Sequence, residues 1–208
     1  MDVTNLDHEK ILEEAFSNSK NTAVEFPPAD VNDIILRKYN VDKPFTYTRT
    51  QLWDMELRKA SRPDIFLGPL VKPGSLEVFP STRRGNLEDF TRITQQRRWK
   101  DPSRFTTVIE HVRIDHDAHR IFFIGDKEFV APDGRKFTAG PDQALFHVEH
   151  STTGPEEKPL NLWRIVNLTG GRDEELLKVL DGMSKDPYLP PFNEVYIREV
   201  MGLKLERK

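Results

Sequence analysis

The chain has no cysteine. That excludes a disulfide framework, a thiol nucleophile and a thiolate metal site. Long apolar runs are also missing; none approaches the roughly 20 residues that a membrane-spanning helix needs. The opening residues, Met1-Asp2-Val3-Thr4-Asn5-Leu6-Asp7, lack the basic and apolar regions of a secretory signal. These absences predict a cytoplasmic protein that does not enter a membrane. An excess of one charge is lacking too. A formal net charge of −3 over 208 residues supplies neither a basic surface for nucleic acid nor a polyacidic tail. Leu168-Thr169-Gly170-Gly171 lacks the Lys and the spacing of a phosphate-binding loop, and no Gly-x-Ser-x-Gly elbow occurs. Nothing calls for a nicotinamide, a flavin or any other cofactor.

What is present is a β-rich stretch from Phe105 to Leu168. It divides into Phe105–Asp115, His119–Val130, Gln143–His150 and Leu160–Leu168, which are rich in Val, Ile, Phe and Thr and separated by turn-forming residues. Links this short favour an antiparallel meander, because parallel neighbours need a long crossover. Most helical patterning precedes it. Residues 7–17 and Asp30–Tyr39 predict short helices, which would pack on the domain or mediate dimerisation. A longer helix runs from Thr48 to Ala60, where Thr48 and Gln51 fit a capping box. Arg62–Ser75 predicts a helical turn and a brief edge strand. Leu87, Phe90 and Ile93 suggest a helix over Leu87–Trp99 capped by Asn86, with Arg97-Arg98-Trp99-Lys100 as its solvated basic end. Arg172–Met183 reads as an amphipathic helix. Pro187–Phe192 reads as a stiff surface connector, and Asn193–Leu203 as a last helix that would lid the domain or bind a second subunit. The expected class is α+β: a cone-shaped, curved antiparallel sheet with helices on its concave face and a pocket inside. Residues 1–46 would form an N-terminal helical extension, 47–183 the cone and 184–208 a C-terminal extension or lid.

Periodicity sorts the ionisable residues. Around the helix after Thr48, Trp53, Leu57 and Ala60 centre the buried arc, and Glu56 falls inside it while Asp54 falls outside. A carboxylate there needs a partner or a proton. Strand alternation puts Thr106, Val108, Glu110, Val112 and Ile114 on one face, the more apolar. In Gln143–His150 the apolar set Ala144, Phe146 and Val148 carries His150 inward. His111, Arg113, Asp115, His147 and Glu149 then form a polar outer face. Both faces of His119–Val130 are apolar, so its orientation stays open. In the last strand, Leu160, Leu162, Arg164, Val166 and Leu168 oppose Asn161, Trp163, Ile165 and Asn167. Either Arg164 turns inward as a counter-ion for Glu110 or Glu56, or Trp163 and Asn167 line the cavity.

Glu56, Glu110 and His150 therefore converge on one space as candidate acid–base groups. Trp53, Phe122, Phe146 and Trp163 are candidate aromatic walls for a small-molecule substrate, with Arg164 and Asn167 as candidate polar contacts. The close pairs among His111, His116, His119, His147 and His150 fall on opposite strand faces, so no metal site is expected.

The order helix, helix, short strand, helix, long antiparallel meander resembles the nuclear-transport-factor-two-like superfamily, which includes scytalone dehydratase, ketosteroid isomerase and small polyketide cyclases. The likeness covers roughly Tyr47–Leu180 and rests on element order and on Trp53-Asp54-Met55-Glu56-Leu57-Arg58-Lys59-Ala60 and Asp64-Ile65-Phe66-Leu67. Thr48–Ser75 also looks like members found near fungal secondary-metabolite genes. The resemblance implies a cofactor-free lyase, isomerase or cyclase that uses a His and a carboxylate inside the cone, again Glu56, Glu110 and His150. The Tyr pair and the second His of the dehydratase pattern have no counterpart here. The same fold also serves non-catalytic ligand carriers and assembly modules.

Overall fold

The computed structural model describes residues 6–140, 145–185 and 188–208. The link and strand start expected at 141–144, and Pro187 of the connector, lie outside them. Twelve strands and six α-helices follow in chain order among the described residues. They are α1 His8–Ser17, β1 Thr22–Glu25, β2 Ala29–Asp30, α2 Val31–Lys38, β3 Tyr39–Val41, α3 Arg49–Ser61 and α4 Pro63–Phe66. Next come β4 Glu77–Arg84, β5 Leu87–Arg97, β6 Phe105–Asp115, β7 Arg120–Asp126, β8 Glu128–Val130 and β9 Lys136–Thr138. The chain closes with β10 Phe146–Thr153, β11 Leu160–Asn167, α5 Glu174–Ser184, α6 Pro191–Val195 and β12 Leu205–Arg207. A π-helical turn, Tyr196–Val200, extends α6.

The central sheet is antiparallel and ordered β1-β11-β10-β7-β6-β5-β4, with β2 paired beside β11. It is the expected curved sheet, and it stays open as two edges. No helix among the described residues is long and apolar enough to cross a membrane.

One expected helix is a strand. Leu87–Arg97 is β5, paired along its whole length with β6. The i, i+3, i+6 spacing of Leu87, Phe90 and Ile93 was misleading because β5 is buried on both faces. Phe90 joins the main core against Trp53, Val112 and Phe123, while Ile93 packs with Phe79 and Phe129 on the other side. A strand covered on both faces loses the alternation that would identify it. β4, unexpected from the sequence, forms the hairpin with β5.

α3 crosses the concave face. The capping box forms: Gln51 N–H donates to the Thr48 hydroxyl and Thr48 N–H donates to the Gln51 side chain. Trp53 and Ala60 enter the main core, as periodicity requires. Leu52 and Met55 are buried on the helix's far side by a second core built from α2, α4, α6 and β12. α3 is thus sandwiched, which is why Glu56 and Lys59 are both withdrawn from water.

The convex face is covered rather than solvated. Leu12 of α1 packs on Phe122, Ile124 and Val166, and the β8–β9 hairpin brings Phe129 and Phe137 against Phe79 and Ile109. His111, His147 and Glu149, expected at an exposed polar surface, are buried there. They are satisfied locally: the Thr91 hydroxyl lies 2.9 Å from His111 Nδ1, and Arg120 Nε donates to Glu149 Oε1 at 2.8 Å.

α1 brings its own titratable group under cover. His8 is 0% exposed, and burial together with nearby Arg113 lowers its pKa to about 4. An unfolded histidine titrates near 6.5, so as pH falls the unfolded chain takes up this proton first and stability is lost between about 6.5 and about 4. The full loss from this group is roughly 3 kcal/mol. Urea unfolding at pH 7 and near pH 4.5 is expected to show a steeper acid decline in the wild type than in His8→Leu. Equal slopes in the two proteins would contradict it.

Candidate functional site

A cavity of about 380 Å³ opens between the concave face, α4, α5 and the Tyr188–Phe192 segment. Its walls are largely apolar, with Trp99, Phe123, Phe146, Val148, Trp163 and Ile165 among them. The polar side chains Lys59, Arg92, Gln96, Glu110 and His150 also line it. The Pro190-Pro191-Phe192 run, expected as a surface connector, is part of the wall, and Phe192 is buried. Leu189, buried nearby, anchors this run in the second core.

The register places the polar groups. Arg92 on β5 lies directly opposite Glu110 on β6, so both side chains rise from the concave face. Arg92 Nε donates to Glu110 Oε2 at 2.7 Å, and Gln96 Nε2 donates to the same oxygen at 3.4 Å. Arg92 Nη1 donates to the Lys59 and Ala60 carbonyls at 3.2 and 2.7 Å, satisfying the last turn of α3. Its guanidinium lies over the Phe123 ring, 4.5 Å from the centroid. Both of these hydrogen bonds to Glu110 fall on Oε2.

A second group adjoins the first. Lys59 Nζ lies 2.5 Å from Glu56 Oε2 and 2.9 Å from His150 Nδ1, and Asn161 Nδ2 donates to Glu56 Oε1 at 2.9 Å. Glu56 Oε1 is 3.4 Å from His150 Nδ1. The imidazole is sandwiched by aromatic rings, stacked on Trp163 at 5.2 Å and edge-on to Phe123 and Phe192. Burial alone would raise the Glu56 carboxyl, but Lys59 and His150 beside it hold it well below the usual carboxylate range. Burial lowers Lys59 to about 8 against the pull of Glu56. Burial and the Lys59 charge also lower His150, against the opposing pull of Glu56. A raised carboxylate pKa, one of the two expectations for Glu56, is not what this environment produces.

Of the candidate catalytic residues, Glu110 and His150 line the cavity, and Glu56 stands behind Lys59 and His150. Phe146 and Trp163 are in the wall. Phe122 is not: alternation in β7 turns it onto α1 and gives its place to Phe123. Arg164 also faces α1, pairing with Glu13 at 2.7 Å and Glu149 at 3.0 Å, so it is no counter-ion for Glu110 or Glu56. Asn167 shares the concave face with Trp163 and is fully buried, but the wall stops short of it at Ile165. Trp53 lies in the core beyond the cavity wall, stacked at 4.8 Å on His119, whose backbone takes a left-handed φ of 51° in the β6–β7 turn.

Lys59, Arg92, Gln96 and Asn161 were missed. Arg92 was hidden by the helical reading of β5. Lys59 carried a usable signal, since it sits three residues after Glu56 and so beside it on the helix. Among the described residues no three His, Asp or Glu side chains are grouped to hold a metal ion.

No family model and no curated protein matches this sequence. Solved structures do match in shape. The Zhui aromatase/cyclase from Streptomyces sp. R1128 superposes with a TM-score of 0.50 at 10% identity, covering 86% of this chain and 95% of its own. Dicamba monooxygenase bound to 3,6-dichlorosalicylic acid gives a TM-score of 0.53 at 10% identity over 89% of this chain. This chain spans only 51% of that enzyme. At such identity the likeness shows the fold alone: an α+β chain whose large curved antiparallel sheet grips a helix.

Proposed function

We propose that the protein is a cofactor-independent lyase or isomerase that dehydrates, isomerises or cyclises an apolar, oxygenated small molecule such as a polyketide or terpenoid intermediate. The carrying observation is a buried carboxylate, Glu110, and a buried imidazole, His150, in the wall of one largely apolar cavity. The hydrogen bonds from Arg92 and Gln96 fall on Oε2 of Glu110 rather than Oε1, and His150, engaged at Nδ1 by Lys59, has Nε2 left for a ligand. Glu110 would accept a proton from carbon beside a carbonyl, while His150 would hydrogen-bond the carbonyl or protonate the departing hydroxyl. Glu56, set behind the wall, would act through Lys59 and His150 rather than on substrate. The aromatic wall suits a flat, unsaturated ligand. Likeness in fold to an aromatase/cyclase supports this class of chemistry. The lack of cysteine agrees with a cytoplasmic setting.

One observation favours a second reading, a carrier that binds without reacting. Both buried carboxylates already have cationic partners, Glu110 with Arg92 and Glu56 with Lys59. The two readings part in one assay. Aromatic and polycyclic β-hydroxyketones would be screened by quenching of tryptophan fluorescence, since Trp99 and Trp163 line the cavity. Binders would then be followed for loss of water or ring closure by absorbance and mass spectrometry. Turnover supports the enzyme; binding with an unchanged ligand supports the carrier.

A further inference from the structure

Lys59 is a buried titratable group in the cavity wall to which that scheme gives no proton transfer of its own. Its amine contacts are committed. Glu56 Oε2 is at 2.5 Å, His150 Nδ1 at 2.9 Å, and the Phe192 ring lies 4.0 Å away at its centroid. An ammonium held between a carboxylate, an imidazole nitrogen and a ring face is poorly placed to attack a substrate carbonyl, so the geometry favours a proton donor over a nucleophile. The distances also bear on the imidazole. Nδ1 has two candidate partners: the Lys59 ammonium at 2.9 Å, which requires a lone pair, and Glu56 Oε1 at 3.4 Å, which would require a proton. The shorter contact is the one with the ammonium, and Glu56 Oε1 already accepts from Asn161.

We propose that Lys59 is a positioning residue that holds His150 as the neutral Nε2–H tautomer and passes a proton to Nδ1 as Nε2–H is given to a ligand oxygen. The step balances. One N–H bond of Lys59 breaks as the Nδ1–H bond forms, the Nε2–H bond breaks as an O–H bond forms, and Lys59 ends neutral with His150 neutral in the other tautomer. No imidazolate forms, which is what makes a neutral histidine a usable acid here. Solvent then restores the Lys59 proton. Titratable or charged groups face the amine from three sides: Glu56 on α3 itself, His150 on β10 and Arg92 on β5, while α6 presents the Phe192 ring. The relay needs Lys59 protonated. With its pKa lowered to about 8, acid function is present below that pH and lost above it.

This relay deepens the acid–base reading of the same site, and its first test does not depend on turnover. Nitrogen-15 NMR of the ligand-free wild type, labelled at histidine, reads the tautomer directly. The expected spectrum at neutral pH shows His150 protonated at Nε2 and bare at Nδ1. A proton on Nδ1 would overturn the proposal whatever the enzyme does. In Lys59→Met the proton is expected to move to Nδ1, toward Glu56, and the His150 pKa to rise. An unchanged tautomer in that folded variant would also overturn it. Lys59→Arg, which keeps the cation, is expected to retain the wild-type tautomer. With a turned-over substrate in hand, the wild-type rate is expected to fall above pH 8 with a slope of one proton. Lys59→Met should lack that limb. A limb that persists there overturns the relay while leaving the acid–base reading intact.

Discussion

Replacing Arg92 by methionine is expected to destabilise the fold by about 3–5 kcal/mol, the cost of leaving one member of a buried ion pair alone. Its side chain is 4% exposed, as is that of Glu110. The substitution would strip Glu110 of a 2.7 Å hydrogen bond and leave only the 3.4 Å contact from Gln96. It would also remove the donor to the Lys59 and Ala60 carbonyls, so the end of α3 loosens where it carries Lys59. Urea unfolding measures the loss. The pair itself is separated from the general cost of a core change by the double variant Arg92→Met, Glu110→Met. Removing both charges leaves no buried orphan, and much of the stability should return. If the single variant unfolds within about 1 kcal/mol of wild type, water reaches Glu110 more freely than its burial implies.

His150→Ala is expected to abolish turnover, by about 10²–10⁴-fold in kcat/KM, while leaving the fold intact. The fold survives because the sheet register does not depend on the imidazole, and Lys59 and Glu56 remain paired at 2.5 Å. His150→Gln is the companion variant; it fills more of the space between Trp163 and Phe192 but cannot relay a proton. Circular dichroism and the unfolding midpoint establish that each variant is folded before rates are compared. Retained activity in either folded protein removes His150 from the mechanism and leaves Glu110 to account for the chemistry alone. Loss in both, with ligand binding preserved, assigns His150 to the chemical step rather than to affinity.

The sequence by itself determined the curved antiparallel meander, the capped helix over it and the inward faces of two strands. Each of these is a local matter. The Thr48–Gln51 box, the apolar stripe through Trp53 and Ala60, and the alternation in β6 and β10 depend on residues a few positions apart. Glu110 and His150 were legible for that reason. Glu56 was legible as buried, and Lys59 on its own next turn was a readable neighbour, but its partners on β10 and β11 were not.

Only the tertiary structure decided the rest. β5 and β7 are covered on both faces, by the core on one side and by α1 or the β8–β9 hairpin on the other, so no period marks inside from outside. That single effect concealed Arg92, misassigned Leu87–Trp99 as a helix and left Phe122 and Phe123 indistinguishable. The outer face of His147 and Glu149 looked solvent-exposed because polar residues usually are. Here α1, some 130 residues away in sequence, brings its own charged partners, and Glu13 and Glu9 complete the network through Arg164 and Arg120. Pairings of this kind are set by which elements meet in space, and local pattern carries no record of them.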